Sequence, residues 1–262
     1  MFRKQIEFIC HEDYAHTDLE KPEPVRLHIP DWYKKLEHTI KQVTIKGCMP
    51  FLDTLTAGYV LKMPQDLHIE FNVDKIDPET GKVMVNEETG KKMKDYKFRY
   101  GLCNEDSMMQ VRMMNLNGKK PQYHHRFQLE GSSFVKKNKD FDILKILNPW
   151  VIKTPPGYSC LFVPPLNNAD DRFEIISGIV ETDKRNLQVN FPFVVNGDKY
   201  ETLTTTIKRG TPYVQVIPFK RDDWEMKFGT TNAKGVFRNW IGHQLQIIRS
   251  YKDRIWSKKS WN

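Results

Sequence analysis

Histidine and cysteine are the residue types of this chain that could bind a metal ion. Two imidazoles on a strand bind one metal at the spacing His-x-His, because alternate residues share a face. Here His124 and His125 are adjacent, and the six other histidines are isolated. The four cysteines form no Cys-x-x-Cys pair; they are Cys10, Cys48, Cys103 and Cys160. The patterns predict reduced thiols and no metal site, which leaves a cupin-like metal-dependent enzyme as the last alternative.

Nucleophilic and phosphate chemistry lack their usual motifs in this sequence. There is no Gly-x-Ser-x-Gly, the turn that exposes a catalytic serine. There is also no Gly-x-x-x-x-Gly-Lys-[Ser/Thr], the loop that surrounds a phosphate. The sequence therefore predicts no cofactor, and it contains neither of these two motifs.

The polar run "PPLNNADDR" is a candidate ligand site, because it directly follows a predicted strand and loops carry sites more often than cores do. We predict a pocket in which Asn167, Asn168 and Arg172 supply the polar groups. Trp150 and Tyr158 would supply aromatic walls. The alternative interpretation is a turn for the polar residues and a core position for each ring.

Strands must position these residues. After residue 150, apolar-rich segments follow one another with only turn residues between them, which leaves no room for crossover helices. They are "WVIKT", "GYSCLFV", "FEIISGIVET", "LQVNFPFVV", "TTTIKRG" and "YVQVIPFKR". Earlier in the chain, "RKQIEFIC", "YVLKM" and "LHIEF" have the same character. The sequence predicts a mainly β fold, an antiparallel barrel or sandwich.

Two segments stand apart from this pattern. Residues 74–97 contain the turn signals "DPETGK" and "EETGKK" around a short "VMV" strand, which predicts an exposed hairpin insertion. Residues 231–262 carry seven basic side chains against Asp253 alone, and their apolar residues recur at helical spacing. We predict a single domain over 1–230 and a basic amphipathic helix over 231–262, which packs on the sheet or contacts a partner.

The chain has a formal net charge of +8. Such a charge would suit nucleic acid, an anionic ligand or a membrane surface, but most lysines are scattered singly, which is typical of solvated surface. No apolar run reaches the length of a signal peptide core or a membrane span. We therefore expect a soluble, cytoplasmic protein.

Four segments, taken in order, resemble the trimeric dUTPases and their dCTP-deaminase relatives. They are "AGYVL", "PPGYSCLFVPPLN", "SGIVETDKRN" and "IKRGTPYVQVIPF". The family motifs read Ala-Gly-Tyr-Asp-Leu, then a strand from Pro-x-Gly-Tyr to Pro-Arg-Ser-Gly, then Gly-x-Ile-Asp-x-Asp-Tyr and Gly-x-x-x-x-Gln-x-Ile. The resemblance covers about half the chain and implies the β-clip or jelly-roll-like fold of that family and a homotrimer.

The catalytic positions of that family are changed here. Val60 stands in the place of the first aspartate, and Pro165 and Leu166 replace the arginine and serine that bind phosphate. Glu181 takes the place of the water-activating carboxylate, and Asp183 matches the family. The resemblance implies a scaffold without dUTPase activity, with Glu181 and Asp183 as candidate catalytic residues. Alternatively, these carboxylates only cap the turn in "ETDKRN".

A second resemblance covers nearly the whole chain. "IPDWYKKL", "CMPF", "NPWVIKTPPGYSCLFVPPLN", "GIVETD" and "GTPYVQVIPFKRD" are similar to hypothetical proteins of tailed phages that infect marine cyanobacteria, with shorter bacterial relatives. The likeness implies a phage or bacterial origin, and hence the host cytoplasm or a virion. It implies no chemistry.

Three functions remain as expectations. The first is a binding protein on a dUTPase-like scaffold, whose ligand is an unidentified small molecule or nucleotide. The second is a diverged nucleotide hydrolase or deaminase that uses Glu181 and Asp183. The third is a phage structural or host-interaction protein that contacts its partner through residues 231–262.

Overall fold

The computed structural model describes residues 4–10, 12, 18–39, 41–100, 123–237, 240 and 250–261. Within them the protein is mainly β, which confirms the predicted class. The strands are β1 (Glu7–Ile9), β2 (Glu23–Pro24), β3 (Tyr59–Lys62), β4 (Leu67–Asp74), β5 (Lys94–Tyr100), β6 (Tyr123–His124), β7 (Ile143–Ile146), β8 (Val151–Lys153), β9 (Tyr158–Val163), β10 (Phe173–Ile175), β11 (Gly178–Val180), β12 (Phe191–Val195), β13 (Leu203–Ile207) and β14 (Pro212–Lys220).

The helices are short and lie in the connections. They are α1 (Asp31–Lys35), α2 (Met49–Thr54), α3 (Ser133–Lys137) and α4 (Ser250–Arg254), with single 3-10 turns at Val25–His28, Ile45–Gly47 and Arg126–Leu129. Residues 233–237 are helical as well. Of the helix predicted over 231–262, the described residues 233–237, 240 and 250–254 are helical and 256–261 are not, whereas 238, 239 and 241–249 lie outside the described residues.

All described strand pairs are antiparallel. The largest sheet has five strands in the order β11-β9-β14-β3-β2. A four-stranded sheet follows the order β10-β12-β7-β6, a three-stranded sheet the order β13-β4-β5, and β1 pairs with β8. In the part of the chain that the structure describes, these sheets do not close into a barrel.

One apolar core joins the sheets. Phe162 of β9 contacts Phe191 of β12 with ring centroids 5.4 Å apart. Phe191 in turn meets Tyr213 of β14 at 5.7 Å. On the other side, Phe193 of β12 lies 6.5 Å from Phe98 of β5. The four-stranded sheet thus packs against both the five-stranded and the three-stranded sheets, and burial of these rings is the main stabilising contribution.

Residues 75–93 connect β4 to β5 through two turns of the same form. Asp77 Oδ1 accepts hydrogen bonds from the N–H groups two and three residues ahead, at 2.8 and 2.9 Å. Asn86 Oδ1 does the same at 3.0 and 2.9 Å. Gly81 and Gly90 close the turns at φ of +67° and +65°, in the left-handed region that glycine adopts without strain. The predicted insertion at 74–97 is therefore a two-turn extension of the β4–β5 hairpin.

The end of the chain returns to the body of the protein. Trp256 Nε1 donates to both carboxylate oxygens of Asp53 in α2, at 3.0 and 3.1 Å. Lys259 Nζ donates to the same carboxylate at 2.7 Å. The ring of Trp261 lies edge-on to Tyr59 at 6.2 Å. These contacts fix the last residues against α2 and the start of β3.

Candidate functional site

The five-stranded sheet brings together the four segments that were singled out in the sequence. Strand β3 lies in "AGYVL", β9 in "GYSCLFV", β11 in "SGIVETD" and β14 in "PYVQVIPFK". Their order in the sheet makes β14 a direct neighbour of both β9 and β3, and β9 a direct neighbour of β11. The polar residues of these segments lie at two places, the Asp183 end, where β9 begins, and the Gln215 junction, where β9 ends.

Asp183 accepts three hydrogen bonds on its carboxylate. Arg221, just after β14, donates from both terminal guanidinium nitrogens to its two oxygens, with Nη1 at 2.9 Å. The N–H of Gly157 donates to Asp183 Oδ2 at 2.8 Å. The Asp183 side chain is only 6% exposed. The hydrogen bonds from Arg221 and Gly157 hold the pKa of Asp183 well below its usual range.

Arg221 also forms hydrogen bonds with residues other than Asp183. Its Nη1 also donates to the carbonyl of Tyr158 at 2.8 Å and to Ser159 Oγ at 3.0 Å. Its own N–H donates to Gly157 O at 2.9 Å. The guanidinium therefore ties the end of β14 to the start of β9 and to the turn after β11.

Glu181 lies beside this clamp but is exposed. It forms an ion pair with Lys184 at 2.8 Å, and the hydrogen bond from Lys184 lowers the pKa of the Glu181 carboxyl. Between the two carboxylates, Thr182 is buried, with its hydroxyl 2.7 Å from that of Thr154. The backbone closes a turn here, since the Arg185 N–H donates to Glu181 O at 3.0 Å. The geometry matches the turn interpretation of "ETDKRN".

Tyr158 belongs to the Asp183 end but contacts the amino-terminal segment. Lys4 Nζ donates to its hydroxyl. The phenol therefore has a partner from within the chain.

Gln215 organises the second place, which we call the Gln215 junction. It is fully buried in the middle of β14. Its Nε2 donates to the carbonyls of Ala57 and Thr54 at 2.7 and 3.1 Å. Its Oε1 accepts from the N–H of Leu166 at 2.8 Å. A buried amide is stable only when its polar atoms are paired, and here the pairing joins three separate segments.

Asn167 and Asn168 extend this junction at the surface. Asn167 has a φ of +56°, a left-handed conformation that asparagine tolerates better than most residues. Its Nδ2 donates to Thr54 Oγ1 at 2.7 Å. Asn168 Nδ2 donates to His28 O at 3.2 Å. Both amides thus connect the loop after β9 to neighbouring segments.

Arg172 and Trp150 form hydrogen bonds with other segments. Arg172 forms a two-pronged contact with Asp170, from Nε at 2.9 Å and Nη2 at 2.6 Å. Its Nη1 donates to Thr205 Oγ1 of β13 at 2.9 Å. Trp150 is buried in the core, with Nε1 donating to Glu20 O at 3.2 Å. Each has the contacts of a structural residue.

The predicted site residues therefore do not meet in one pocket. Tyr158, Glu181 and Asp183 lie at the start of β9, whereas Asn167 and Asn168 follow its end. Strand β9 has six residues, so these places are separated by about 17 Å along the strand. Of the predicted ligand-binding residues, only Asn167 and Asn168 lie together, Tyr158 lies at the other end of β9, and Arg172 and Trp150 have other partners.

Two organising residues were given no role by sequence reasoning. Arg221 follows a strand, at a position where arginine is usually exposed. The neighbouring sequence does not indicate that its partner is Asp183, which lies 38 positions earlier. Gln215 did carry a signal, because a lone amide inside the apolar run "YVQVIPF" is typical of a buried residue with fixed partners. That signal indicates pairing but does not identify the partner segments.

Cysteine and histidine side chains are the candidate nucleophiles and metal ligands of the described residues. Burial raises the pKa of the Cys160 thiol to about 11, which makes it inert. Cys10, Cys48 and Cys160 are free thiols, and Cys103 lies outside the described residues. His124 contacts Gln128, as His125 does Asp142. Among the described residues, there is no cluster of three or more histidine, cysteine, aspartate or glutamate side chains that could bind a metal ion.

Comparison with protein-family profiles, with curated proteins and with solved structures finds no match to this chain. Among the described residues, no helix has the length and apolar character that crossing a membrane requires.

Proposed function

We propose that the protein is a non-catalytic binding protein of phage or bacterial origin, built on a β-clip or jelly-roll-like scaffold similar to that of the trimeric dUTPases. Its ligand is a small molecule or nucleotide that it binds without turnover. The single observation that carries the proposal is the closure of Asp183 by Arg221 and Gly157. The four segments that resemble that family also share one sheet.

The carboxylates of "ETD" are poorly suited to activate a water molecule. A general base needs an accessible lone pair and a pKa near the working pH. The Asp183 oxygens accept hydrogen bonds from the Arg221 guanidinium and the Gly157 N–H, and these bonds lower the pKa of the carboxyl group. The pKa of Glu181 is also lowered, by its contact with Lys184. Both groups are therefore weak bases at neutral pH.

The segment that would bind phosphate in the related enzymes is equally unsuited to it. "PPLNN" holds no cationic side chain. The Leu166 N–H donates to Gln215, and the Asn167 amide donates to Thr54 Oγ1. Transition-state stabilisation of phosphoryl transfer depends on cations or N–H groups aimed at the phosphate. Here these donors serve internal contacts.

A phage structural or host-interaction protein is the second candidate. It is favoured by the apolar side chains that follow β14, where Trp224 and Phe228 are 91% and 90% exposed. Exposed rings in series are typical of a surface that a partner covers. In this alternative the protein acts in the virion or in the host cytoplasm, and the contact involves residues before and within the predicted helix 231–262.

Incubation with a panel of nucleoside and deoxynucleoside triphosphates tests the proposal. Products would be separated by liquid chromatography and identified by mass, so that loss of phosphate and deamination are both detected. The wild-type protein, Glu181→Gln and the matched exposed variant Glu225→Gln should all stay at the background rate. Turnover by the wild type and by Glu225→Gln that Glu181→Gln abolishes would establish the hydrolase or deaminase alternative and overturn the proposal.

A further inference from the structure

Residues 222–229, "DDWEMKFG", form an arm that leaves the body of the protein. The root of the arm is fixed, because Arg221 is bound to Asp183 and to Gly157. Beyond the root, Trp224, Met226 and Phe228 are 91%, 78% and 90% exposed. Three large apolar side chains in succession are exposed on a segment whose starting point is held firmly.

The arm has the alternation of a strand without a strand partner. Trp224, Met226 and Phe228 recur at every second residue, so an extended backbone presents them on one face. Glu225 and Lys227 lie on the other face and approach each other at 3.6 Å. The arm is neither helix nor strand, and within the described chain no backbone hydrogen bond joins residues 222–231 to another segment.

The five-stranded sheet offers an open edge of matching character. Strand β11 lies at the end of the strand order and pairs only with β9 among the described strands. Ile179 in the middle of β11 is 65% exposed, as is Leu187 in the loop that follows. An unpaired edge with an exposed apolar residue is a template for an added strand.

Charge favours a second copy of this chain as the partner. The arm carries Asp222, Asp223 and Glu225 against Lys227 alone, whereas the whole chain has a net charge of +8. In the turn beyond the β11 edge, Lys184 pairs with Glu181, which leaves the exposed Arg185 as a positive charge. The acidic arm and this cation are complementary in charge, and the apolar side chains of the arm and of the edge are complementary in character.

The surface that the arm would bury is also of the right size. A buried aromatic side chain contributes about 150–250 Å², so Trp224 and Phe228 offer about 300–500 Å² from each arm. A reciprocal exchange of two arms, together with the surface that they cover, reaches about 1,200–2,000 Å². That is the usual size of a stable interface.

We propose that the arm 222–229 of one copy adds as a strand along the β11 edge of a second copy, so that the protein assembles with itself through exchanged arms. Trp224, Met226 and Phe228 pack on the surface around Ile179 and Leu187. Asp222 and Asp223, at the start of the arm, lie next to Lys184 and Arg185. This assembly goes beyond the proposed binding function and does not depend on whether nucleotides are turned over.

Sedimentation velocity of the whole chain, measured from nanomolar to high micromolar concentration, tests the arm. The wild type should associate as its concentration rises, and the triple variant Trp224→Ser, Met226→Ser, Phe228→Ser should stay monomeric. The matched control replaces three other exposed apolar residues with serine, Leu27, Val43 and Phe127, which are 60%, 64% and 65% exposed. The control should associate like the wild type.

The position of the edge is tested by a charge exchange. The substitutions Lys184→Glu and Arg185→Glu should weaken association at least tenfold, as should Ile179→Lys. Adding Asp222→Lys and Asp223→Lys to the first pair should restore it. A wild type that stays monomeric at every concentration, an arm variant that associates normally, or edge substitutions without effect would each overturn the proposal. Circular dichroism would establish that each variant is folded.

Discussion

Strand β14 and the arm are consecutive in the chain, yet they differ completely in environment. In β14, Val214 and Val216 are fully buried. Only eight residues after Val216, Trp224 is 91% exposed, and Phe228 is 90% exposed. The difference arises because β14 has β9 on one side and β3 on the other, whereas the arm has no strand beside it in the described chain.

The comparison teaches that alternation specifies a strand but not the location of its partner. Apolar residues at every second position indicate that one face will be buried. In β14 the chain itself supplies the covering surface. In the arm, alternating apolar side chains are left uncovered within the described chain, and in the proposed assembly a second molecule covers Trp224 and Phe228.

The largest expected effect is on the free energy of unfolding, when one aromatic side chain is removed from β14 and, for comparison, one from the arm. Tyr213→Ala should lower the free energy of unfolding by about 3–5 kcal/mol, because it leaves a cavity beside Phe191. The matched change Trp224→Ala should alter it by no more than about 0.5 kcal/mol in the monomer. Urea unfolding at low protein concentration measures both. Similar losses for the two variants would show that the arm packs within its own chain.

Gln215→Leu should have the next largest effect. It leaves the Leu166 N–H and the carbonyls of Thr54 and Ala57 without their buried partner. Each unpaired buried group costs about 1–3 kcal/mol, so with partial relaxation we expect a total loss of about 2–4 kcal/mol.

Urea unfolding of Gln215→Leu would be compared with Gln128→Leu, a substitution at an exposed amide. The exposed variant should stay close to the wild type. An unchanged midpoint for Gln215→Leu would contradict the role of this amide as the link between the three segments.

The smallest of the three effects is a pH-dependent one at Asp183. Its pKa in the folded protein lies below the unfolded value, which is about 3.9, chiefly because of the hydrogen bond from Arg221. A depressed pKa contributes stability above the unfolded pKa, and this contribution is lost as the pH falls through the folded pKa. Asp183→Asn should therefore lower Tm by a few degrees at pH 7, and the difference should shrink below about pH 4.

Calorimetric melting of Asp183→Asn across this pH range checks the sign. Glu225→Gln, which changes a carboxylate whose side chain is 80% exposed, should match the wild type at neutral pH. A difference for Asp183→Asn that stays constant into acid would mean that the carboxylate is not held by Arg221.

Local patterns predicted much of the strand inventory. "YVQVIPFKR" and "GYSCLFV" closely match β14 and β9. "FEIISGIVET" instead forms two strands, β10 and β11, because the Ile176 N–H between them donates to Pro192 O of the other sheet. Alternation within a segment cannot reveal such a change of sheet, since both strands have the same local character.

The site was less predictable than the strands. Asp183 was singled out, but its partner Arg221 is remote in sequence and is brought to it only by the pairing of β14 with β9. Asn167, Asn168 and Tyr158 are close in sequence, yet a strand of six residues holds them apart. Similarly, the helix predicted over 231–262 gave no indication that Trp256 donates to Asp53, because a local pattern indicates burial and not the surface that provides it.

Amide hydrogen exchange of the whole chain, followed at low and at high protein concentration, tests the comparison of β14 with the arm most directly. We predict that residues 213–217 are strongly protected at both concentrations, and that residues 223–228 become protected only when the protein is concentrated. Protection should rise in parallel along residues 178–180. An arm that exchanges rapidly at every concentration, or one that is protected equally at both, would contradict the account.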